Sequence, residues 1–137
     1  MFPKKVKYRK WHTMRKNPLK VGVASRGLSV AFGSYGLKAL GAARIRSNQI
    51  ESARKVLSRS VGKTGRLWVR IFPDMPYTSK PAEVKLGKGK GDLQGYAAPV
   101  LAGRIIFEVD GVSEVVAREA LRKAGTKLPV KTKVVAR

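Results

Sequence analysis

The chain has 137 residues, 43% of them hydrophobic, which is enough for one domain with a core of its own. Thirty Lys and Arg against eight Asp and Glu give a formal net charge of +22 at pH 7, and self-repulsion on that scale favours a polyanionic partner, above all nucleic acid. The lack of cysteine excludes disulfides, thiol nucleophiles and thiolate metal sites, and no apolar run approaches the length of a membrane span, so we expect no membrane partner.

Residues 1–24 are predicted to be a basic RNA-binding extension, the N-terminal arm, attached to a single domain over residues 25–137. No acidic residue precedes Glu51, and aromatic side chains are interleaved with the cations of the arm. Like charges and few apolar side chains prevent the arm from folding alone, but flat rings can stack on bases while cations hold phosphates. A solvated, disordered tail is the alternative. We favour an arm ordered by RNA, with contacts from Lys4, Lys5, Lys7, Tyr8, Arg9, Lys10, Trp11, His12, Arg15 and Lys16.

The segment after the arm predicts two strands and a helix. Leu28–Phe32 and Tyr35–Leu40 are the predicted strands, separated by a turn-like Gly-Ser pair. Ser47 is predicted to cap the helix and Gly62 to end it. Apolar residues recur at helical spacing and form a predicted buried stripe of Ile50, Ala53, Leu57 and Val61. Cations lie off that stripe, and we predict RNA contacts for Arg54, Lys55 and Arg59.

Residues Arg66–Phe72 alternate as a strand. The alternation places Trp68 on one face with Arg66 and Arg70, opposite the apolar side chains. We interpret Trp68 as covering the sheet, with an RNA contact as the alternative. The three prolines of Pro73–Pro81 are predicted to break this strand.

The Gly/Lys loop, residues 80–91, follows and ends in the run Leu86–Gly91. It is not a Walker loop, which needs G-x-x-x-x-G-K-[ST] at the start of a helix, because Asp92 follows the run and no strong helix begins there. Glycines let a backbone approach a crowded polyanion closely while lysines contact phosphates. A flexible surface loop is the alternative, and composition alone does not separate the two. The predicted contacts are Lys80, Lys85, Gly87, Lys88, Gly89, Lys90 and Gly91.

Two further strands are predicted before the second helix. Tyr96–Leu101 is a weak strand interrupted by Pro99, so we expect it at a sheet edge. Arg104–Asp110 is a strong strand, and residues 96–110 are predicted to form a hairpin-like pair. Together with the elements before them, these strands predict an α+β fold, a mixed β-sheet sandwich with two packed helices.

The second helix is predicted to begin after Ser113 and to end at Gly125. Its helical spacing predicts an inward face of Val116, Ala117, Ala120, Leu121 and Ala124. The chain then closes with an alternating strand, Val130–Ala136.

Catalytic and metal sites are not expected. His12 is the lone histidine and has no carboxylate near it in sequence, whereas a general base needs an orienting partner and a nucleophile in a pocket. Capping and local neutralisation of cations explain the acids, and one histidine with scattered acids makes no ligand set. We expect no enzymatic activity, cofactor, metal or small-molecule substrate. A DNA-binding architectural protein and a basic enzyme acting on RNA are the alternatives.

Several segments resemble the bacterial-type large-subunit ribosomal protein L16 (uL16) family: WVRIFPDMP, KPAEVKLGKGKG, GRIIFEVDGVSEVVAREALRKAGTKLPVKTK, QIESARKVLSR and the KYRK of the arm. The resemblance covers nearly the whole chain in order. It implies an α/β-hammerhead-like fold and a place in the large subunit, bound to 23S-type rRNA and to other large-subunit proteins. It also implies contact with A-site tRNA, and with P-site tRNA, near the peptidyl-transferase centre.

The same resemblance implies roles for two segments. Lys85, Lys88 and Lys90 of the Gly/Lys loop would point toward the functional centre, and the arm from Lys4 to Lys16 would thread into rRNA. The chain departs from the family where Lys85 and Leu86 replace the usual Arg and Met, because lysine keeps the charge but loses the planar fork. These changes indicate a divergent bacterial member, in a cytoplasmic ribosome, or an organellar one.

Overall fold

The structure is a computed structural model and describes residues 1–13 and 17–137. Within these ranges it contains two α-helices and seven strands, so the predicted α+β class is confirmed. In chain order the elements are β1 (Tyr35–Ala39), β2 (Ala43–Arg46), α1 (Ser47–Val61), β3 (Arg66–Val69), β4 (Met75–Ser79), β5 (Asp92–Val100), β6 (Ile105–Asp110), α2 (Glu114–Gly125) and β7 (Thr132–Ala136).

The strands form two antiparallel sheets. One has four strands in the order β3-β6-β1-β7, and the other has three in the order β2-β5-β4. The hairpin predicted over residues 96–110 is wrong, because β5 and β6 belong to different sheets. The short connection between them includes Gly103, whose φ of +96° favours glycine.

Both helices pack their apolar stripes into one core. The predicted stripe of α1 is buried as expected, and α2 buries Ala117, Ala120, Leu121 and Ala124. Val116, predicted to face inward, is 41% exposed, because it lies at the margin of the apolar stripe. Helix α1 contacts α2 and strands of both sheets, whereas α2 covers β1, β6 and β7. Phe107 and Leu37 lie in this core with almost no exposed surface.

The start of α1 is shifted by one residue from the prediction. Arg46, not Ser47, is the N-cap, and its backbone N–H donates to the side-chain oxygen of Gln49 at 2.9 Å. Gly62 ends the helix as predicted, with a φ of +70°. The second helix begins after Ser113 and includes Gly125 as its last residue, as predicted.

Both proline-containing segments form strands, although the sequence predicted only the second of them. Residues Met75–Ser79, predicted to be a break, form β4 at the edge of the three-stranded sheet, where Pro76 is tolerated. Strand β5, predicted at an edge, is central. Pairing of β5 with β4 ends at Ala97, so β5 has a neighbour on only one side at Pro99. The missing N–H of that proline is therefore compatible with a central strand.

Residues 27–34, here called the clamped segment, contain the predicted strand Leu28–Phe32, which is absent. Three consecutive N–H groups of this segment donate to a side chain instead of to a strand. The buried carboxylate of Glu108 on β6 accepts from the N–H of Ala31 at 3.0 Å, of Phe32 at 2.6 Å and of Gly33 at 2.9 Å. Arg70 donates to the same carboxylate.

The Glu108 carboxylate carries its charge despite being buried. Burial raises the pKa of Glu108, but the three backbone N–H groups and the Arg70 guanidinium lower it further, so its pKa lies below the ordinary value. The carboxylate thus acts as an internal anion that shapes the clamped segment over the sheet face turned away from the helices.

Candidate nucleic-acid interface

The first part of the N-terminal arm lies against the three-stranded sheet. Phe2 stacks on Tyr96 of β5, with ring centroids 6.4 Å apart and planes 9° from parallel. Lys10 Nζ lies 3.7 Å from an oxygen of Asp92, at the start of the same strand. Asp92 is exposed and Lys10 is half-buried, so solvent screens the pair and it stabilises the contact by less than about 1 kcal/mol. The arm is therefore associated with β5 through one aromatic contact and one weak ionic contact.

The arm also meets the Gly/Lys loop. The ammonium of Lys90 donates a hydrogen bond to the backbone carbonyl of Trp11. The ion pair between Lys10 and Asp92 lies next to this hydrogen bond in both segments, because Lys10 precedes Trp11 and Asp92 follows Lys90 by two residues. The structure thus brings together two segments that are about 80 residues apart in the sequence and that were both predicted to contact RNA.

The backbone of the Gly/Lys loop takes an unusual course. Gly87, Lys88 and Gly89 are consecutive residues with φ of +101°, +56° and +91°. Glycine adopts such positive φ values without strain. A Cβ added at Gly87 or Gly89 would meet nothing within 4 Å, so the backbone at these two residues is open to solvent. Gly91 differs, because a Cβ there would lie 2.6 Å from the carbonyl oxygen of Ser79. The base of the loop is tightly packed and its tip is open.

The predicted lysines of the loop divide into two kinds. Lys80 donates to the carbonyl of Gly87, and Lys90 donates to Trp11, so both brace the protein itself. Lys85 and Lys88 are exposed, and no acidic side chain of residues 1–13 or 17–137 forms an ion pair with them. Leu86 between them is 98% exposed. Lys85 and Lys88 are thus the loop lysines available to an external anion.

Most cations of the arm are solvent-exposed. Lys7 lies over the ring of Tyr8, with its Nζ 5.4 Å from the ring centroid. Trp11 and His12 are also exposed. Arg15 and Lys16, predicted to contact RNA, lie outside the described residues. The other exposed cations among the described residues of the arm are Lys4, Lys5, Arg9 and Lys20.

The predicted cations of helix α1 differ in whether an acidic side chain of the same helix already pairs with them. The guanidinium of Arg54 donates to both oxygens of Glu51, at 3.0 and 2.6 Å, and this hydrogen bonding lowers the pKa of Glu51. Lys55 and Arg59 are exposed. Within the described ranges, no hydrogen bond or ion pair joins these three cations to the arm or to the Gly/Lys loop. The predicted contacts thus comprise the arm-and-loop surface and a set on α1, and the N-terminal ammonium of the arm is close enough to α1 to lower the pKa of Glu51 slightly through its charge.

Two cations beside this surface were missed. Arg44 and Arg46 lie on the exposed face of β2, opposite the buried Ile45. The guanidinium carbon of Arg46 lies 5.2 Å from the ring centroid of Tyr77. The strict Arg-Ile-Arg alternation was the available signal, but the strand is only four residues long. They add positive charge to the sheet that carries the arm.

The charges of α2 contrast with this surface, because its acids and cations are paired. Glu114 accepts from Arg118 at 2.7 Å, and Glu119 accepts from Arg122 and lies 3.4 Å from Lys123. Hydrogen bonding from Arg122 is the main reason that the pKa of Glu119 falls to about 2. These neighbours neutralise much of the helix, so the uncompensated charge lies elsewhere.

Two negative observations concern the described residues. Residues 1–13 and 17–137 contain no group of three or more His, Asp and Glu side chains arranged to hold a metal ion. Neither helix in this part of the chain combines the length and apolar content needed to cross a membrane.

Comparison with known proteins identifies the family. The family model described as ribosomal protein L16p/L10e matches residues 3–135. "Large ribosomal subunit protein uL16" of Thermosipho melanesiensis is 55% identical over 137 residues, which is all of this chain and 94% of that protein. The uL16 protein of Rhodopseudomonas palustris (strain BisA53) is 52% identical over all of this chain and 97% of its own length. The chain therefore belongs to the ribosomal protein L16p/L10e (uL16) family, a family of structural, non-enzymatic ribosomal proteins.

Proposed function

We propose that the protein is a structural constituent of the large ribosomal subunit that binds 23S-type rRNA and other large-subunit proteins. We further propose that it helps to form the A-site tRNA binding region near the peptidyl-transferase centre, with P-site tRNA as an additional contact. The arm, residues 1–24, would be the RNA-binding extension of a single domain over residues 25–137. Its place would be a cytoplasmic bacterial ribosome or an organellar one.

The junction of the arm and the Gly/Lys loop is the observation that best supports this proposal. The bond from Lys90 to Trp11 joins a segment rich in exposed cations to a loop with an open backbone tip. Phosphate groups could approach that tip closely, because Gly87 and Gly89 have no side chain in the way. Lys85 and Lys88 would then supply charge at the tip, while the arm follows the RNA backbone.

Association with the ribosome can be tested by sedimentation. We expect the endogenous protein to co-sediment with large subunits in a sucrose gradient at moderate salt. Recovery of all the protein at the top of the gradient would contradict the proposal. Comparable affinity of the free protein for duplex DNA and structured RNA at matched salt would favour the architectural DNA-binding alternative.

The role of the loop can be tested in reconstituted subunits. The double variant Lys88→Ala/Lys90→Ala should reduce A-site tRNA binding severalfold, because it removes the exposed cation Lys88 from the loop and the hydrogen bond by which Lys90 holds the arm at Trp11. Lys131→Ala/Lys133→Ala is a matched control, since it removes two exposed lysines at the same spacing near β7. Equal effects of the two double variants would show that only net charge matters.

A further inference from the structure

An exposed aromatic side chain is fixed on the outer face of the four-stranded sheet. Phe32 stacks on Trp68 with ring centroids 6.3 Å apart and planes 20° from parallel. The guanidinium carbon of Arg70 lies 4.9 Å from the centroid of the Phe32 ring. Even with these two neighbours, 57% of Phe32 remains exposed. We call these three side chains the Phe32 platform.

The platform is held in place by buried groups. The N–H of Phe32 donates to Glu108 at 2.6 Å, and Arg70 donates to the same carboxylate. The hydrogen bonds that Glu108 accepts from Ala31 and Gly33 fix the residues on either side of Phe32. A large apolar ring is thus presented to solvent at a fixed position, which lowers the conformational entropy lost when a partner stacks on it.

The charges around the platform favour a polyanion. Arg66 lies on the same strand face as Trp68 and Arg70. Asp110, a half-buried acid in register with Arg66, already accepts from the hydroxyl of Ser34 at 2.6 Å. Hydrogen bonds from Ser34 and from the backbone of Gly111 are the main reasons that the pKa of Asp110 is lowered, and the charges of Arg66 and Arg137 lower it further.

We propose that the Phe32 platform binds an unpaired base of RNA. The base would stack on the exposed part of Phe32, and Arg66 and Arg137 would contact its flanking phosphates. This combination of a flat ring and adjacent cations is the one by which proteins hold single-stranded nucleic acid. An apolar protein partner would use the ring but would bury two arginines that share a single nearby acid, Asp110. The inference rests on the proposed function, and it adds a contact point separate from the arm, from α1 and from the Gly/Lys loop.

Photo-crosslinking in the assembled particle identifies the occupant. Phe32 is replaced by p-benzoylphenylalanine, the protein is incorporated into large subunits, and the crosslinked partner is identified after irradiation. Phe72 provides the control position, because it is 49% exposed and lines a separate cleft with Asp74 and Pro99. We expect position 32 to crosslink to an RNA base with a yield at least about fivefold above that of position 72. A crosslink from position 32 to a protein, or none above the control, would overturn the inference.

Affinity measurements test the contribution of the ring itself. The full-length protein and its Phe32→Ala, Phe32→Tyr and Phe72→Ala variants are titrated into a labelled 12-nucleotide single-stranded RNA and into an abasic oligomer of the same length. Phe32→Ala should weaken binding of the RNA roughly fivefold or more and leave binding of the abasic oligomer unchanged, while the other two variants should match the parent. Equal affinities of Phe32→Ala and the parent for the RNA would overturn the stacking proposal. Failure of every variant to bind either oligomer or to sediment with subunits would instead contradict the proposed function.

Discussion

The clamped segment and the Gly/Lys loop are both irregular connections, but they differ in the anion that accompanies them. The clamped segment folds around the carboxylate of Glu108, which accepts three of its backbone N–H groups. Within residues 1–13 and 17–137, no carboxylate accepts backbone N–H groups of the Gly/Lys loop, and Lys85 and Lys88 are exposed at its tip. A cationic protein can therefore order one connection by itself and leave another to be ordered by its partner.

The largest expected effect comes from removing the internal anion. Glu108→Gln should lower the free energy of unfolding by about 3 kcal/mol, because it leaves Arg70 without its charged partner and weakens three backbone hydrogen bonds. Urea denaturation of the free protein measures this loss. Glu119→Gln is the control, because the ion pairs of Glu119 are exposed and are screened by solvent, so they contribute little to stability. Equal losses of unfolding free energy in the two variants would show that the buried carboxylate of Glu108 contributes no more to stability than an exposed one.

A pair of glycine substitutions compares the two connections directly. A Cβ at Gly33 would lie 2.6 Å from the carbonyl oxygen of Val109, so Gly33→Ala should destabilise the protein by about 2 kcal/mol. A Cβ at Gly89 would meet nothing within 4 Å, and only its φ of +91° opposes the substitution. Gly89→Ala should therefore cost about 1 kcal/mol or less, because the open loop can relax. A thermal melt of each variant checks the order, and a larger loss for Gly89→Ala would reverse the assignment of packed and open connections.

Acid should reduce the contribution of Glu108 to the stability of the protein. The folded-state pKa of Glu108 lies below the value of 4.5 that applies to an unperturbed glutamate. Its contribution to stability is thus fully present above about pH 4.5 and is lost as the pH falls toward the folded-state pKa, because the unfolded chain binds the proton first. Unfolding free energies between pH 7 and pH 3 should decline less steeply in Glu108→Gln than in the parent. Parallel declines would mean that the other acids account for the pH dependence.

The smallest effect on stability is expected at the Gly/Lys loop. Lys88→Ala/Lys90→Ala should change the free energy of unfolding by no more than about 0.5 kcal/mol, because both residues are exposed. The same variant should reduce the slope of log affinity for rRNA against log salt by about one, because Lys88 is available to a phosphate whereas Lys90 donates to Trp11. A large loss of thermal stability in the free protein would show that this loop is part of the core and not an open connection.

The sequence predicted the elements that follow a regular period. Residues Ile50 and Leu57 of α1 and the strand around Phe107 were found because apolar spacing reports burial directly. Pro76 and Pro99 misled the strand assignments, because the tolerance of a strand for proline depends on which neighbours it has. Glu108 was grouped with the capping acids, since nothing local distinguishes a buried carboxylate whose donors lie about 76 residues away.

The candidate site was predictable in composition but not in arrangement. The arm and the Gly/Lys loop were identified from runs of cations and glycines in the sequence. Their junction through Lys90 and Trp11 was not foreseen, because it depends on the path of the arm along β5. The use of Lys80 and Lys90 as internal braces was likewise invisible, since composition does not show where an ammonium group points.

Helix α1 has a consequence for how the protein opens in solution. It contacts β2 and β5 of the three-stranded sheet and β3 of the four-stranded sheet. Neither sheet can separate from the core without disturbing the same helix, so the two should open as one cooperative unit. Amide protons in the middle of β5 and β6 should then exchange with deuterium at similar opening free energies. Such coupling would keep the base of the Gly/Lys loop at a fixed angle to the rest of the protein for as long as the fold persists.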